Sequence, residues 1–191
     1  MTDMMNGVDR EALFATIDAV TADKTLAAFE FRLKNEWLEG GLNRSTITDF
    51  YGTGQDIPHK TPFVLLNDEP EVLLSGDKGP NPVENLLHAL AGCMTSSIAY
   101  HAAARGIAIG SIRTRFEGDI DLYGFLGLSD EVRRGFSEIR VVFEFGGDLT
   151  MEQKRELVVI AETYSPVFDM VANGTTVTSR LAEDVRMEAA E

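Results

Sequence analysis

The segment from Asn81 to Gly106 constrains the fold of this chain more than any other. Asn81-Pro82-Val83-Glu84 supplies an N-cap, a proline at the first helical position and a glutamate at the third. Gly106 supplies the C-terminal stop. Between them, Leu86, Leu87, Ala89, Leu90, Ala91, Met94, Ile98 and Ala102 leave little polar circumference. A helix apolar nearly all round is buried nearly all round. In a chain of 191 residues it is therefore expected to be the central core helix. His88, Ser96, Ser97 and His101 interrupt the run, and lipid tolerates such residues poorly, so the segment does not read as a membrane span.

The rest of the chain supplies strands on both sides of this helix. Residues 8–20 read as a short amphipathic helix with Val8, Leu13, Phe14, Ile17 and Val20 in one stripe. Phe29, Phe31 and Leu33 alternate with Glu30, Arg32 and Lys34, the period of a half-buried strand. Glu39-Gly40-Gly41 is turn chemistry, and residues 45–50 resume the alternation, which predicts an antiparallel hairpin. Residues 51–80 are richer in Gly, Pro and Asp, with short extended pieces expected near 63–66 and 71–74. After the helix come strand-like runs at 107–121 and 138–145, separated by a Gly-rich excursion through residues 123–127. Thr150 to Gln153 is a second capping box, opening a helix to about Tyr164. Ser165-Pro166 starts a short third, which stops before Asn173-Gly174; residues 175–181 then read as a strand, and the acidic tail as frayed.

The pattern predicts an α+β fold, with antiparallel sheets packed on a long central apolar helix. It divides into an N-terminal helical extension (1–27), a main domain (28–182) and an acidic tail (183–191).

The formal net charge is −14, from 17 basic and 31 acidic side chains. Such a surface repels phosphate backbones and anionic lipid, so neither nucleic acid nor membrane is an expected partner. Asp3, Asp9, Glu11 and Asp18 crowd the start of the chain, where a secretory signal would be basic and then apolar. Cys93 is the sole cysteine, so no internal disulfide can form. That fits a reducing cytoplasm and excludes a Cys-rich zinc site. No metal or bound cofactor is expected.

A thiolate is the strongest nucleophile a side chain offers near neutral pH, which makes Cys93 the first candidate for chemistry. It lies about 16 Å along the helix from Pro82, beyond the reach of the helix dipole. An apolar setting by itself raises a thiol pKa and leaves it inert. Activation therefore needs a cation from elsewhere in the fold, most usefully an arginine; without one, Cys93 is a small core residue. His88 and His101 sit roughly 140° and 80° round the helix from Cys93, so neither pairs with it on the same helix. Asp119 and Asp121 share a strand face, read as a solvated acidic edge. Gly118, Gly124 and Gly127 make no phosphate-binding fingerprint, and neither G-x-S-x-G nor H-E-x-x-H occurs.

The run from Asn81 to Cys93 (NPVENLLHALAGC) resembles the central helix of the OsmC/Ohr family, and Ala103-Ala104-Arg105-Gly106-Ile107 resembles its helix end. Ser165-Pro166-Val167-Phe168 stands where that family commonly has C-P and a short helix, and residues 175–181 stand where it has a closing strand. The resemblance implies an OsmC-like fold in an intertwined homodimer. It also implies a thiol peroxidase that reduces organic hydroperoxides: a helix cysteine attacks the peroxide, a second cysteine closes a disulfide, and an arginine oriented by a glutamate stabilises the thiolate. Carried over, Cys93 is the peroxidatic cysteine and Arg44, after the Gly40-Gly41 turn, is preferred to Arg32 as the arginine. Glu84 stands one position beyond the family's glutamate, where an N-terminal cap is its other role. Ser165 occupies the second cysteine's place and cannot form the disulfide.

The resulting expectation is a one-cysteine reduction of organic hydroperoxides at Cys93, with an external thiol as reductant. Two alternatives stay open. One is a non-catalytic dimeric module that binds a small apolar ligand. The other is a different cysteine-dependent reaction, in which His88 or His101 of one chain serves Cys93 of the other.

Overall fold

The computed structural model describes residues 3–188. Helix α2 (Pro82–Ala104) begins where its caps place it. Asn81 Oδ1 accepts from Val83 N at 2.8 Å and Glu84 Oε2 accepts from Asn81 N at 2.9 Å. At the other end Gly106 takes a φ of 74°, and Ile107 N donates to Ala102 O at 2.9 Å, which turns the chain back. Only a left-handed residue makes that reversal cheaply.

The core forms on one stripe of α2. Leu90, Met94, Ile98 and Ala102 recur every fourth residue and are buried. They pack against Leu157, Ile160 and Ala161 of α4 (Met151–Tyr164) and Phe145 of β8 (Glu138–Gly146). Ile112 and Phe116 of β7 (Ser111–Asp119) and Val167 and Phe168 of α5 (Pro166–Asn173) close the cluster. β7 and β8 pair antiparallel without a register break, from Ser111↔Gly146 to Asp119↔Glu138. Their connection carries a single helical turn, α3 (Leu122–Phe125), whose N-cap Asp121 accepts from Tyr123 N at 2.8 Å. Thr150 and Gln153 cap α4 reciprocally, at 3.2 and 2.9 Å.

A second sheet precedes α2. Its centre is β5 (Leu42–Gly52), flanked on one edge by β4 (Lys34–Glu39) and β3 (Glu30–Phe31), and on the other by β6 (Gln55–Asn67). Pro58 and Pro62 cannot donate to a ladder, which suits β6 to an edge. The register slips between Ile47↔Phe63 and Asp49↔Pro58. Polar side chains tie this sheet to the start of α2. Asn85 Nδ2 bonds Asn67 Oδ1, and Asn81 Nδ2 bonds Glu69 Oε2. Buried Asp68 accepts from Ser75 Oγ at 2.5 Å, Glu69 N at 2.9 Å and Lys78 N at 3.0 Å, and these bonds, Ser75 foremost, lower its pKa.

At the N-terminus, β1 (Met4–Met5) and β2 (Val8–Asp9) flank an Asn6-Gly7 turn with both φ angles positive, a tight hairpin. The Asn6 amide then takes the place of a strand neighbour: Nδ2 donates to Ile107 O and Oδ1 accepts from Ile109 N, both at 2.9 Å. Asp9 caps α1 (Arg10–Ala22), which buries none of its residues.

Several expectations are corrected here. Within one chain α2 is buried along one stripe only, because the chain provides partners for one side; Leu86, Gly92 and Tyr100 remain exposed. The helix at the N-terminus starts at Arg10, since residues 8 and 9 pair with β1. Residues 51–80 hold the long strand β6, which their prolines disguised, while Glu71–Leu73 is a 3-10 turn ended by left-handed Leu74. Residues 175–181 form no strand, as no described strand lies beside them to pair with. The tail begins as a helix, α6 (Ala182–Glu188), and its last three residues lie outside the described ones.

Leu157, fully buried against α2, gives the test of this core. Leu157→Ala should cost about 2–5 kcal/mol in urea unfolding, whereas truncating exposed Val72 should leave the midpoint in place.

Candidate functional site

Cys93 sits one residue before buried Met94, so its side chain projects about 100° away from the core stripe. The result is a half-buried thiol on the flank of α2. Its carbonyl accepts from Ser96 Oγ at 3.1 Å. Among the described residues, no hydrogen bond or ion pair reaches its sulfur.

One turn further on, Ser97 donates to Tyr164 O at 3.2 Å, tying this flank to the end of α4. Tyr164 stacks on His101 at 3.9 Å between ring centroids, with an interplanar angle of 18°. The Arg105 guanidinium lies 5.6 Å above the Tyr164 ring and 3.7 Å from Glu156. Burial and, second, the positive charge of Arg105 lower the His101 pKa. The imidazole is thus biased to its neutral form and occupied by a ring stack. Neither Tyr164 nor Arg105 stood out as a site residue in the sequence; the signal available was their adjacency to Ser165 and Gly106.

Ser165 follows Tyr164 directly and is 1% exposed. Its Oγ accepts from Phe168 N at 3.2 Å, which makes it the N-cap of α5. The α4–α5 junction thus meets the thiol flank of α2, and Ser165 serves there as a structural hydroxyl.

The other candidates lie elsewhere. Arg44 is exposed on β5, its guanidinium paired with Glu36 at 2.6 Å across the β4–β5 ladder. Arg32 is held by Asp56, Asp49 and Glu30. Neither arginine bonds to Cys93 within the chain. Glu84 completes the capping box of α2. His88 is exposed on α2. Asp119 and Asp121, read from the sequence as a solvated acidic edge, have separate partners. Asp119 pairs with Arg140, whose hydrogen bonds lower its pKa, while Asp121 caps α3. Among the described residues no group of three or more His, Cys, Asp or Glu side chains could hold a metal ion, and no helix is long and apolar enough to cross a membrane.

The OsmC-like protein family matches residues 75–180, which span α2, the β7–β8 hairpin, α4, α5 and the segment after them. The chain belongs to the OsmC-like family. Its fold is shared with an OsmC-like protein from Mycoplasma pneumoniae, at 17% identity and a TM-score of 0.58, over 75% of this chain and 87% of that one. A protein from Aquifex aeolicus VF5 aligns at 17% identity and a TM-score of 0.51, over 76% of this chain and 89% of that one. At such identities the likeness concerns the fold alone. No curated protein matches this OsmC-like chain in sequence.

The half-buried imidazole of His101 gives a pH test. The His101 pKa in the fold lies below its ordinary 6.5, so the unfolded chain binds the extra proton more readily. Stability should therefore be full above pH 6.5 and fall as the pH drops from there through the folded-state value. By NMR, His101 should titrate below 6.5, and Arg105→Gln should raise its midpoint only part of the way, because burial is the larger cause.

Proposed function

We propose that this protein is a homodimeric, one-cysteine reductase of organic hydroperoxides with Cys93 as its nucleophile. The observation that carries the reading is the position of this sole cysteine. It stands at the end of the family-like Asn81–Cys93 run and half-buried on a helix flank where a peroxide can approach. The thiolate sulfur attacks one peroxide oxygen; an S–O bond forms as the O–O bond breaks, and the leaving alkoxide takes a proton to become the alcohol. An external thiol then attacks the sulfenic sulfur and releases water, leaving a mixed disulfide. A second thiol frees Cys93 and departs with the first as their disulfide. Ser165 enforces this external route, since it carries no sulfur and its hydroxyl is committed to capping α5.

The activating cation is supplied by the second copy, with Arg44 the candidate. The support is the amount of apolar surface that one chain leaves uncovered. Phe29, Phe31, Phe50, His59 and Phe63 form a connected aromatic row on the β3–β5–β6 sheet. Phe31 is 78% exposed. Together with the exposed side of α2, it is apolar surface of the kind that marks an interaction site. A two-fold arrangement that buries both faces brings this sheet to the partner's helix, with Arg44 on the sheet's other face.

One observation favours a second reading. Among the described residues no hydrogen bond reaches the Cys93 sulfur, and Ser165 is a buried cap, which suits a non-catalytic module with a small apolar ligand. A cytoplasmic setting fits either reading.

The deciding experiment is the rate at which reduced protein consumes cumene hydroperoxide, with sulfenic acid trapped at Cys93. Wild type should turn over with excess small thiol; Cys93→Ser should abolish consumption, and Arg44→Ala should lower it by roughly 10²-fold or more, as loss of an electrostatic stabiliser does. Consumption no faster than by a free thiol would leave the binding-module reading standing. Sedimentation should give a dimer, and Phe31→Glu, which places a charge in the aromatic row, should shift it to monomer.

A further inference from the structure

We propose that the cleft between α2, α5, β8 and the connection 120–136 is a binding site for an amphipathic monocarboxylate, an unbranched apolar chain with one anionic head. Cys93 is not among the residues that line it, and the site does not depend on the thiol chemistry proposed above.

The cleft has a volume of about 330 Å³, within the range of small-ligand sites. Leu90, Phe136, Ile139, Phe168 and Val171 give it apolar walls. Three polar side chains stand at its edge: Arg133, Ser137 and Glu138. Two are engaged. Glu138 Oε2 accepts from Arg140 at 2.8 Å, and Ser137 Oγ donates to Asp119 O at 3.2 Å. Arg133 has no hydrogen-bond or ion-pair partner among the described residues, although the chain as a whole is strongly acidic.

Two glycines seat the residues that matter. A Cβ on Gly118 would lie 2.6 Å from the Phe136 ring, so the ring rests directly on that backbone. A Cβ on Gly124 would lie 2.4 Å from Arg133 O, so α3 and the Arg133 main chain are in contact. The aromatic wall and the main chain that carries Arg133 are thus positioned before any ligand arrives.

A planar guanidinium left without an acid matches a carboxylate in bidentate geometry. The neighbouring Glu138 and the net charge of −14 disfavour a head with more than one negative charge. The apolar walls reward a hydrocarbon chain in proportion to the area they cover.

Isothermal titration of the full-length protein with octanoate tests the site, with 1-octanol and acetate as the head-free and chain-free probes. Octanoate should bind once per chain and raise the melting temperature with concentration, and both partial probes should bind at least roughly tenfold more weakly. Arg133→Met should weaken octanoate by about tenfold with no change in the unliganded melting temperature, since the residue is exposed. Val171→Phe should fill the cleft and remove binding. Cys93→Ser should retain affinity within about twofold, as it leaves the cleft's walls and its cation in place. Octanoate binding no tighter than octanol, or indifferent to Arg133→Met, would overturn the proposal. Loss of binding in Cys93→Ser would overturn it too, by moving the ligand to the thiol flank.

Discussion

The packing of one stripe of α2 against α4 and the β7–β8 hairpin holds the rest of the molecule in place. Leu90, Met94, Ile98 and Ala102 are bonded into a rigid rod by their own helix, so whatever packs on them is fixed in register with every other residue of α2. The tilt of α4, the seat of α5 beyond Ser165 and the face that β8 presents all follow from that contact. So does the orientation of Cys93. Its neighbour Met94 is fully inside, and a helix cannot turn one without turning the other.

This geometry gives the thiol a surface setting that its sequence neighbourhood conceals. The residues just before Cys93 are apolar and mostly small, as though the sulfur were to be entombed, yet one chain covers only one side of the helix. The groups nearest along the flank are committed to structure: Ser97 ties α2 to Tyr164, Tyr164 stacks on His101, and Ser165 caps α5. Among the described residues, no activating cation comes from this side. Catalysis by Cys93 requires a charge from across the exposed side, which makes the proposed chemistry and the proposed dimer a single question.

The remaining features of the chain gather at the cleft between α2, α5 and β8. The connection between β7 and β8 carries exposed Leu122, Tyr123, Phe125 and Leu126, and its return places Arg133 and Phe136 beside Leu90. Gly118 and Gly124 allow this return because their missing side chains leave room for a ring and a backbone. Their spacing in the sequence made no phosphate motif. Their use is steric.

The sequence by itself determined the helices α2, α4 and α5, because caps, prolines and glycines act on their immediate neighbours. Asn81, Glu84, Gly106, Thr150, Gln153 and Ser165 all do locally what their types dictate. It also determined the antiparallel hairpin around Gly40-Gly41 and, through the Asn81–Cys93 run, the family. Tertiary structure alone decided which circumference of α2 is covered, since an apolar pattern records an affinity for burial without naming the partner. It decided that residues 55–67 form one long edge strand in spite of two prolines, and that residues 175–181, strand-like in pattern, have none to pair with. Strands depend on a neighbour that the local sequence does not contain. The same holds for the site: Cys93 was legible as the one available nucleophile, but the engagement of His101 by Tyr164 arises from contact between distant segments, and that of Arg44 by Glu36 from the register of the hairpin. Local chemistry is written residue by residue; proximity between elements exists only once the chain has packed.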